Sequence, residues 1–247
     1  MSNNDLSNKF VLVTGATSGI GKQIALSCIS AGANVIFTGR SSDKIHKLKQ
    51  SFGNSHAYIQ ADLSKDEDIE RVTDLCPQLD GLVHCAGLLK TIPVKFISRE
   101  LLNEIMNVNY YSSVLLTTSL LKSKKINKNA SIVFISSISG NYVALKGNAL
   151  YSASKGAVNA YAKVLALELS SMTVRVNTIS PGMIHTNLWT NELSSLSTDQ
   201  IEEDKKKYPL GYGQALDVAE ATVFLLSNRS KWITGTDIVL DGGFTIQ

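Results

Sequence analysis

The sequence has little of what marks secreted, metal-binding or membrane proteins. Its 247 residues include only three cysteines, Cys28, Cys76 and Cys85, with no CxxC pair and no paired histidines, which argues against a disulfide scaffold or a zinc site. The polar residues 1–9 are not followed by the apolar core of a secretory signal. No run of roughly 18 uninterrupted apolar residues occurs. We therefore expect a soluble protein of a reducing compartment, the cytoplasm.

The sequence also has little excess of either positive or negative charge. There are 24 basic and 21 acidic residues, a formal net charge of +3, and the basic run at 205–207 directly follows the acidic run at 202–204. This balance favours neither nucleic acid nor a membrane as a partner. Hydrophobic residues make up 44% and charged residues 18%, so the chain has enough apolar material for a packed core.

Short apolar runs alternate with segments of helical periodicity. Runs without polar alternation are typical of strands that are buried on both faces of a parallel sheet. The sequence therefore predicts an α/β fold, a single doubly wound parallel sheet of about seven strands with helices on both faces, as in Rossmann-like proteins. We predict one dinucleotide-binding and catalytic domain over residues 1–247, with a mobile substrate segment near 185–213. The predicted strands lie near residues 10–13, 34–37, 57–59, 81–83, 131–135, 174–179 and 237–240, and the long helices near 99–121 and 151–169.

A glycine-rich turn joins the first predicted strand to the first helix. It holds Gly15, Gly19 and Gly21 in the spacing GxxxGxG. Glycines let the chain approach a ligand closely, and backbone amides at a helix N-terminus bind a pyrophosphate. A kinase-type P-loop is excluded because its glycine and hydroxyl positions are occupied by Ala16 and Gln23. The turn therefore predicts a dinucleotide site, although a merely structural turn would have the same glycines.

The end of the second strand favours NADP over NAD. An NAD site needs a carboxylate about 20 residues after the glycines, for the ribose 2′-hydroxyl. The sequence has Gly39 and Arg40 there, and the next acid is Asp43. Arg40 is suited to a 2′-phosphate and Gly39 leaves room for it. An ordinary surface arginine is the alternative.

Tyr151 and Lys155 predict acid–base chemistry. Their spacing puts the phenol and the ammonium on one face of a helix. A neighbouring cation lowers a tyrosine pKa from its usual ~10, so the pair can give a proton to a carbonyl as a hydride arrives from a nicotinamide. Tyr142 and Lys146 have the same spacing, but they follow the fifth strand without clear helical context, and we interpret them as a decoy or as pocket wall.

A serine precedes this helix at the end of the fifth strand. Hydroxyl groups at the carboxyl ends of parallel strands point into the crevice where ligands bind. Ser137 is therefore a candidate donor to the substrate carbonyl. Ser139 is the alternative, and a serine that satisfies loop backbone is the structural interpretation of either.

These motifs together resemble those of the short-chain dehydrogenase/reductase family, from about residue 9 to residue 245. The resemblance implies a catalytic set of Asn109, Ser137, Tyr151 and Lys155, with Asn109 supporting a proton-relay water and Lys155 also holding the nicotinamide ribose. It implies an acidic adenine contact at Asp62. The cofactor-binding residues implied by the glycine loop, Arg40 and the resemblance are Gly15, Thr17, Ser18, Gly19, Ile20, Gly21, Arg40, Asp62, Leu63, Cys85, Ala86, Gly87, Tyr151, Lys155, Pro181, Gly182, Ile184 and Thr186.

The sequence departs from the family pattern after the fourth strand. The usual Asn-Asn-Ala-Gly is replaced by His84, Cys85, Ala86 and Gly87. We interpret His84 as a structural substitute rather than an acid–base group. Ser137 lies one residue further from Tyr151 than in many members of the family, which keeps Ser139 open for the same role.

The resemblance is strongest to 3-oxoacyl-(acyl carrier protein) reductases. It implies NADP(H)-dependent reduction of a ketone to a secondary alcohol, with NAD(H) as the second possible cofactor. Sugar, polyol, steroid and other small-ketone reductases share the motifs, so the substrate stays open between an acyl thioester and these. The candidate basic residues for carrier-protein docking are Lys124, Lys125 and Lys128, whereas Met172 occupies another position that is usually basic.

Apolar residues in the segments that surround the substrate favour an acyl or otherwise apolar substrate. They are Leu88, Ile92, Val94, Tyr142, Leu145, Leu188 and Trp189. The alternative is that the same residues simply close a lid.

Relatives also imply a homo-oligomer, a tetramer or a dimer, formed through helices near 99–121 and 151–170. Val158, Val164 and Leu165 are compatible with such contacts or with a helix that faces its own sheet. A non-catalytic nucleotide sensor is the alternative from another class, since a fold does not fix a function. Such proteins tend to lose the tyrosine or the lysine, and both are present here.

Overall fold

A computed structural model describes residues 5–186 and 198–246. Its central sheet has seven parallel strands in the order β3-β2-β1-β4-β5-β6-β9, as the sequence predicted. The order reverses between β1 and β4, and the crevice at this reversal is where ligands bind in open α/β sheets. The strands are β1 (Phe10–Val13), β2 (Asn34–Gly39), β3 (Ala57–Gln60), β4 (Leu79–His84), β5 (Ile126–Ile135), β6 (Arg175–Pro181) and β9 (Asp237–Leu240). A separate short pair consists of β7 (Ile184–His185) and β8 (Gly213–Gln214).

Helices cover both faces of the sheet. They are α1 (Gly19–Ser30), α2 (Ser42–Phe52), α3 (Asp66–Leu75), α4 (Arg99–Met106), α5 (Ser112–Lys122), α6 (Ile138–Asn141), α7 (Ala149–Glu168), α8 (Thr198–Lys205) and α9 (Ala215–Leu226). The helices α1, α2 and α9 bury apolar side chains in one core, and α3, α5 and α7 bury theirs in the other. Side chains of β1 alternate between the two cores, since Val11 and Val13 point to one and Leu12 to the other. The apolar strands in the sequence reflect this burial on both sides.

The long helix predicted near 99–121 is interrupted. A π-helical turn at Asn107–Tyr111 separates α4 from α5. Such turns insert one extra residue into a helix and occur frequently at functional sites. Here the interruption contains Asn109, which is buried.

Two other segments differ from the predicted pattern. Strand β5 begins at Ile126, well before the predicted start at 131, and includes the polar residues 127–129. The segment 185–213, expected to be irregular, contains the helix α8. Its residues 187–197, with Leu188 and Trp189, lie outside the described residues. Within the described parts of the chain, no helix is long and apolar enough to cross a membrane.

Candidate active site

A cavity of about 480 Å³ opens at the carboxyl ends of the parallel strands. This volume lies within the range of small-molecule sites. Every predicted cofactor residue lines it, as do Ser137, Tyr151 and Lys155. Their assignment as binding or catalytic residues stays a prediction. Among the residues that the structure describes, twelve more line the cavity: Thr38, Gly39, Lys44, Ala61, Ser64, Leu88, Leu89, Val108, Ser112, Ile135, Ser136 and Met183.

The glycine loop between β1 and α1 folds tightly against the end of β4. Gly15 has φ +66°, and a Cβ on it would lie 2.9 Å from the backbone of Ala86. A Cβ on Gly21 would lie only 2.4 Å from the carbonyl oxygen of Gly15. Thr14 joins the two segments, because its Oγ1 accepts hydrogen bonds from the amides of Cys85 (3.0 Å) and Ala86 (3.1 Å). Glycine is therefore required at these positions by contact and by backbone conformation.

This loop fits the pyrophosphate of a dinucleotide. It presents the first turn of α1 to the cavity, and the unpaired amides of a helix N-terminus are anion donors. Thr186, from the segment after β6, lies over the same loop, 3.7 Å from the position of a Cβ on Gly19. Gly19 through Gly21 and Thr186 would therefore hold the phosphates from two sides.

Two basic side chains line the opposite end of the cavity. Arg40 follows β2, and Lys44 lies in the first turn of α2. Gly39 packs against Thr17, since a Cβ on Gly39 would lie 2.5 Å from Thr17 Cγ2. Sequence analysis singled out Arg40 but missed Lys44. The position of Lys44 could have indicated this, because it follows Arg40 by four residues and lies at the start of a helix that the sequence predicts.

An ionised carboxylate accompanies them. Partial burial by itself would raise the pKa of Asp62, but hydrogen bonds from Ser64 and the positive charge of Arg40 outweigh it, so the pKa lies below its ordinary value. Asp62 Oδ1 accepts from Ser64 Oγ at 2.8 Å and from Ser64 N at 3.2 Å. The carboxylate is therefore held in a fixed orientation beside the cavity.

Tyr151 and Lys155 lie one turn apart on α7 and both face the cavity. Lys155 Nζ lies 5.7 Å from the centre of the Tyr151 ring and donates to the carbonyl oxygen of Ile135 at 2.8 Å. Burial lowers the pKa of Lys155 to about 8, and the nearby Cys85 partly offsets this. A buried ammonium at this distance favours the phenolate form of Tyr151.

Ser137 begins the short helix α6 and caps it. Its Oγ accepts the amide of Ser139 at 3.2 Å, so the hydroxyl proton stays available for donation into the cavity. Ser139 is buried and is not among the lining residues. The packing of α6 on α7 is close, because a Cβ on Gly140 would lie 3.1 Å from the amide of Gly156. Of the two serines, the geometry favours Ser137.

Asn109 lies behind the cavity wall rather than in it. Its Oδ1 accepts from the amide of Leu88 at 2.7 Å, and its Nδ2 donates to the carbonyl oxygen of Leu88 and to Ser154 Oγ, both at 2.9 Å. Ser154 in turn donates to the carbonyl oxygen of Tyr151 at 2.7 Å. One amide side chain therefore connects the loop after β4 with the helix that contains Tyr151 and Lys155.

His84 has the surroundings of a structural residue. It is buried, stacks on Phe134 with ring centres 4.6 Å apart, and its Nε2 lies 2.8 Å from Thr117 Oγ1. Because that hydroxyl donates its proton to the carbonyl oxygen of Ser113, Nε2 must be the donor to Thr117. Burial lowers the pKa of His84 to about 3, so the ring is neutral at physiological pH. The neighbouring Cys85 thiol has its pKa raised by burial to about 12.

Several candidates lie away from the cavity. Tyr142 and Lys146 do not line it, and Tyr142 directly follows the short helix α6. Lys124, Lys125 and Lys128 lie where β5 begins, about 30 Å of extended chain from the carboxyl end of that strand, and they do not line the described cavity. Their role in carrier-protein docking stays a prediction. Lys125 caps α3, donating to the carbonyl oxygen of Cys76 at 2.6 Å.

Comparisons with known proteins identify relatives of the chain. Residues 15–245 match the family model described as enoyl-(acyl carrier protein) reductase. The chain is 32% identical over 250 residues to a 3-oxoacyl-[acyl-carrier-protein] reductase of Bos taurus, covering 97% of this chain and 99% of that one. It is 34% identical over 253 residues to an NADP-dependent (R)-specific alcohol dehydrogenase of Lentilactobacillus kefiri, covering 98% of each. A solved short chain dehydrogenase/reductase family protein superposes with a TM-score of 0.87 at 26% identity, covering 97% of this chain and 99% of that one.

The chain belongs to the short-chain dehydrogenase/reductase family. It is an oxidoreductase of the type that acts on CH–OH and C=O groups with a nicotinamide cofactor.

Proposed function

We propose that the protein reduces a ketone to a secondary alcohol with NADP(H), and that 3-oxoacyl thioesters are its substrate class. One observation supports the reaction above all. The Tyr151 phenol, the Lys155 ammonium and the Ser137 hydroxyl line one cavity together with a glycine loop suited to a dinucleotide. When bound, the nicotinamide supplies the hydride that attacks the carbonyl carbon.

The side chains of the site have complementary tasks. Ser137 donates its free proton to the carbonyl oxygen and orients it. Tyr151 gives its phenolic proton to the same oxygen as the hydride arrives. Lys155, buried and 5.7 Å from the Tyr151 ring centre, stabilises the phenolate that remains and holds the nicotinamide ribose. Asn109 supports the return of the proton from solvent.

Preference for NADP is supported by two cations at the adenosine end of the cavity. Arg40 and Lys44 both line this end, and Asp62, the only carboxylate among the described residues of the cavity lining, is already engaged by Ser64. A 2′-phosphate would therefore meet two positive charges.

The substrate end of the cavity supports an apolar substrate. Leu88, Leu89 and Met183 line it, whereas Ile92, Val94 and Leu145 do not. The two curated relatives reported above are named for an acyl-carrier-protein substrate and for alcohols, so an acyl thioester and a small ketone are the two classes to compare. The proposal assigns no role in carrier-protein docking to the lysines at the start of β5, because they do not line the cavity.

Self-association as a tetramer or dimer is supported by apolar side chains exposed on the helices predicted to form the interface. Leu102, Tyr111 and Leu115 are exposed near α4 and α5, and Val164 and Leu167 on α7. Of the three residues considered from sequence, only Val164 is exposed, since Val158 and Leu165 pack in the chain's own core. A cytoplasmic location is supported by the free thiols of all three cysteines.

The deciding experiment is NADPH consumption by the purified protein with acetoacetyl thioester, a small prochiral ketone and crotonyl thioester. Turnover of acetoacetyl thioester supports the full proposal. Turnover of the small ketone alone supports ketone reduction but argues against an acyl thioester as the substrate. Reduction of crotonyl thioester alone would support the enoyl reaction that the family description names. Saturable NADPH binding without any turnover would favour a nucleotide sensor. Parallel reactions with NADH test the cofactor preference.

A further inference from the structure

Residues 88–92, which we call the crossing segment, lead from the end of β4 along the cavity to the residues just before α7. The first residue of the segment is fixed by Asn109, whose side chain bonds to the amide of Leu88 at 2.7 Å and to its carbonyl oxygen at 2.9 Å. In the middle of the segment, Lys90 forms an ion pair with Glu104 of α4 at 2.6 Å. The segment is therefore held on the side of α4 before it reaches α7.

The far end of the crossing segment is tied to the turn that precedes α7. The amide of Ile92 donates to the carbonyl oxygen of Gly147 at 2.8 Å. Gly147 has φ +83°, and a Cβ on it would lie only 2.6 Å from Cγ2 of Thr91, so backbone conformation and close contact both require glycine. Tyr151 lies in the first turn of α7, directly after this contact. The contact therefore adjoins the proposed proton donor.

The contact coincides with the limit of the cavity on this side. Leu88 and Leu89 line the cavity, whereas Thr91, Ile92 and Gly147 do not. More than half of the described lining consists of predicted cofactor residues, which leaves little space at the substrate end. Packed protein does not admit an inserted chain without moving, so an apolar chain longer than this space has to part the crossing segment from Gly147.

We propose that the contact of Thr91 and Ile92 with Gly147 determines specificity by closing the substrate end, so that short 3-oxoacyl chains fit and long ones are rejected. The inference rests on the proposed function and deepens it, because it names the chain length of the substrate. The end of a short chain would meet Leu89, which lines the cavity between the two fixed residues Leu88 and Ile92. One methylene too many in a bounded apolar pocket costs about tenfold or more in kcat/KM.

The first experiment compares two substrates of the native protein, the acetoacetyl and 3-oxodecanoyl thioesters of the same thiol, at saturating NADPH. We expect kcat/KM for the short chain to exceed that for the long chain by at least about tenfold. Equal values would overturn the inference, because the contact would then not limit the length of the chain.

Gly147→Ala should open the contact. The new Cβ would overlap Thr91 Cγ2, and φ +83° is strained for alanine. We expect the ratio of long-chain to short-chain kcat/KM to rise about tenfold, while the Kd for NADPH stays within about threefold of the native value. Adding Thr91→Ser removes the overlapping methyl and should restore the native ratio, which a general loss of structure would not allow. Gly53→Ala is the matched control, since its φ of +68° gives similar backbone strain but nothing lies within 4 Å of its Cβ.

Ile92→Pro opens the contact from the other side, because proline has no amide proton to donate. The position precedes Pro93 and therefore already favours the extended backbone that proline adopts. The same rise in the ratio is expected, even if Thr91 turns aside in Gly147→Ala and relieves the overlap there. An unchanged ratio in Ile92→Pro, or an equal loss for both chain lengths, would overturn the inference, since the contact would then only support α7.

A binding measurement separates this inference from the proposed function. Butyryl and decanoyl thioesters have no ketone to reduce, so calorimetry on the NADPH-saturated protein reports the fit of the chain alone. We expect decanoyl binding to tighten at least about tenfold in Gly147→Ala and in Ile92→Pro, and butyryl binding to stay within about threefold.

The outcomes of the binding measurement distinguish the two proposals. The expected shift without turnover of any ketone would refute the proposed reduction and retain the closure. Turnover of acetoacetyl thioester with unchanged decanoyl binding would retain the reduction and refute the closure. Absence of thioester binding to all of these proteins would refute both.

Discussion

Replacing Arg40 and Lys44 together by alanine should abolish the preference for NADPH, so that the protein binds NADPH and NADH with similar Kd values. Each side chain would make a charge-assisted hydrogen bond to the 2′-phosphate, and such bonds contribute about 1.5–3 kcal/mol. Both residues are exposed, so the lower end applies to each after screening by solvent. About 1.5 kcal/mol per residue is about tenfold in Kd, or roughly 100-fold for the pair.

Fluorescence titration with NADPH and NADH would measure the two dissociation constants directly. NADH lacks the 2′-phosphate, so its Kd should change by less than about threefold. The NADPH loss should shrink as salt is raised, because the contacts are exposed and therefore screened. Lys47→Ala is the matched control, since Lys47 is an exposed lysine on the same helix that does not line the cavity.

Two outcomes would refute this reasoning. Equal losses for NADPH and NADH would mean that Arg40 and Lys44 shape the cavity without reading a phosphate. Unchanged NADPH binding would mean that the adenosine of the cofactor binds in another orientation, with its 2′-phosphate away from Arg40 and Lys44. In either case Asp62 would be the next residue to test, since it is the ionised group beside them.

Three further predictions follow from the site. Tyr151→Phe should retain NADPH binding and lose about 10²–10⁴-fold in kcat, and near-normal turnover would exclude it as the proton donor. Gly21→Ala should weaken NADPH binding at least about tenfold, because the new Cβ would overlap the carbonyl oxygen of Gly15, 2.4 Å away, and native affinity would contradict the close approach. His84, with its pKa lowered to about 3, stays neutral while the unfolded chain takes up a proton below about pH 6.5. Its contribution to stability is therefore present above that pH and falls by roughly 2 kcal/mol by pH 5, so urea unfolding of His84→Asn should depend less on pH than that of the native protein.

Local pattern predicted the sheet well because the strands are buried on both faces. Side chains of β1, β2 and the second half of β5 alternate between two cores, which leaves continuous apolar runs in the sequence. The glycine loop and the Tyr151–Lys155 pair were also predictable, since each depends on short spacings. The structure places them around one cavity.

The remaining features depend on contacts between distant segments. The π-helical turn contains Asn109, whose amide bonds to Leu88 and Ser154, and no local spacing encodes those partners. Lys124, Lys125 and Lys128 lie at the start of β5, whereas Ser137 follows its end, so the ten-residue strand separates them across the sheet. Their candidate role in docking came from the family resemblance, which does not specify the end of the strand at which they lie.

The amide of Asn109 has a consequence for altering the substrate range. It fixes both the amide and the carbonyl of Leu88, which lines the cavity, and through Ser154 it also holds the helix that contains Tyr151. Changes that move the backbone at Leu88 should therefore slow turnover as they widen the pocket. Met183 lines the same cavity, but the carbonyl oxygen of Met183 accepts the amide of Gly213 at 3.0 Å, and Gly213 does not belong to the helix that contains Tyr151. Selectivity can evolve, or be engineered, more independently at Met183 than at Leu88.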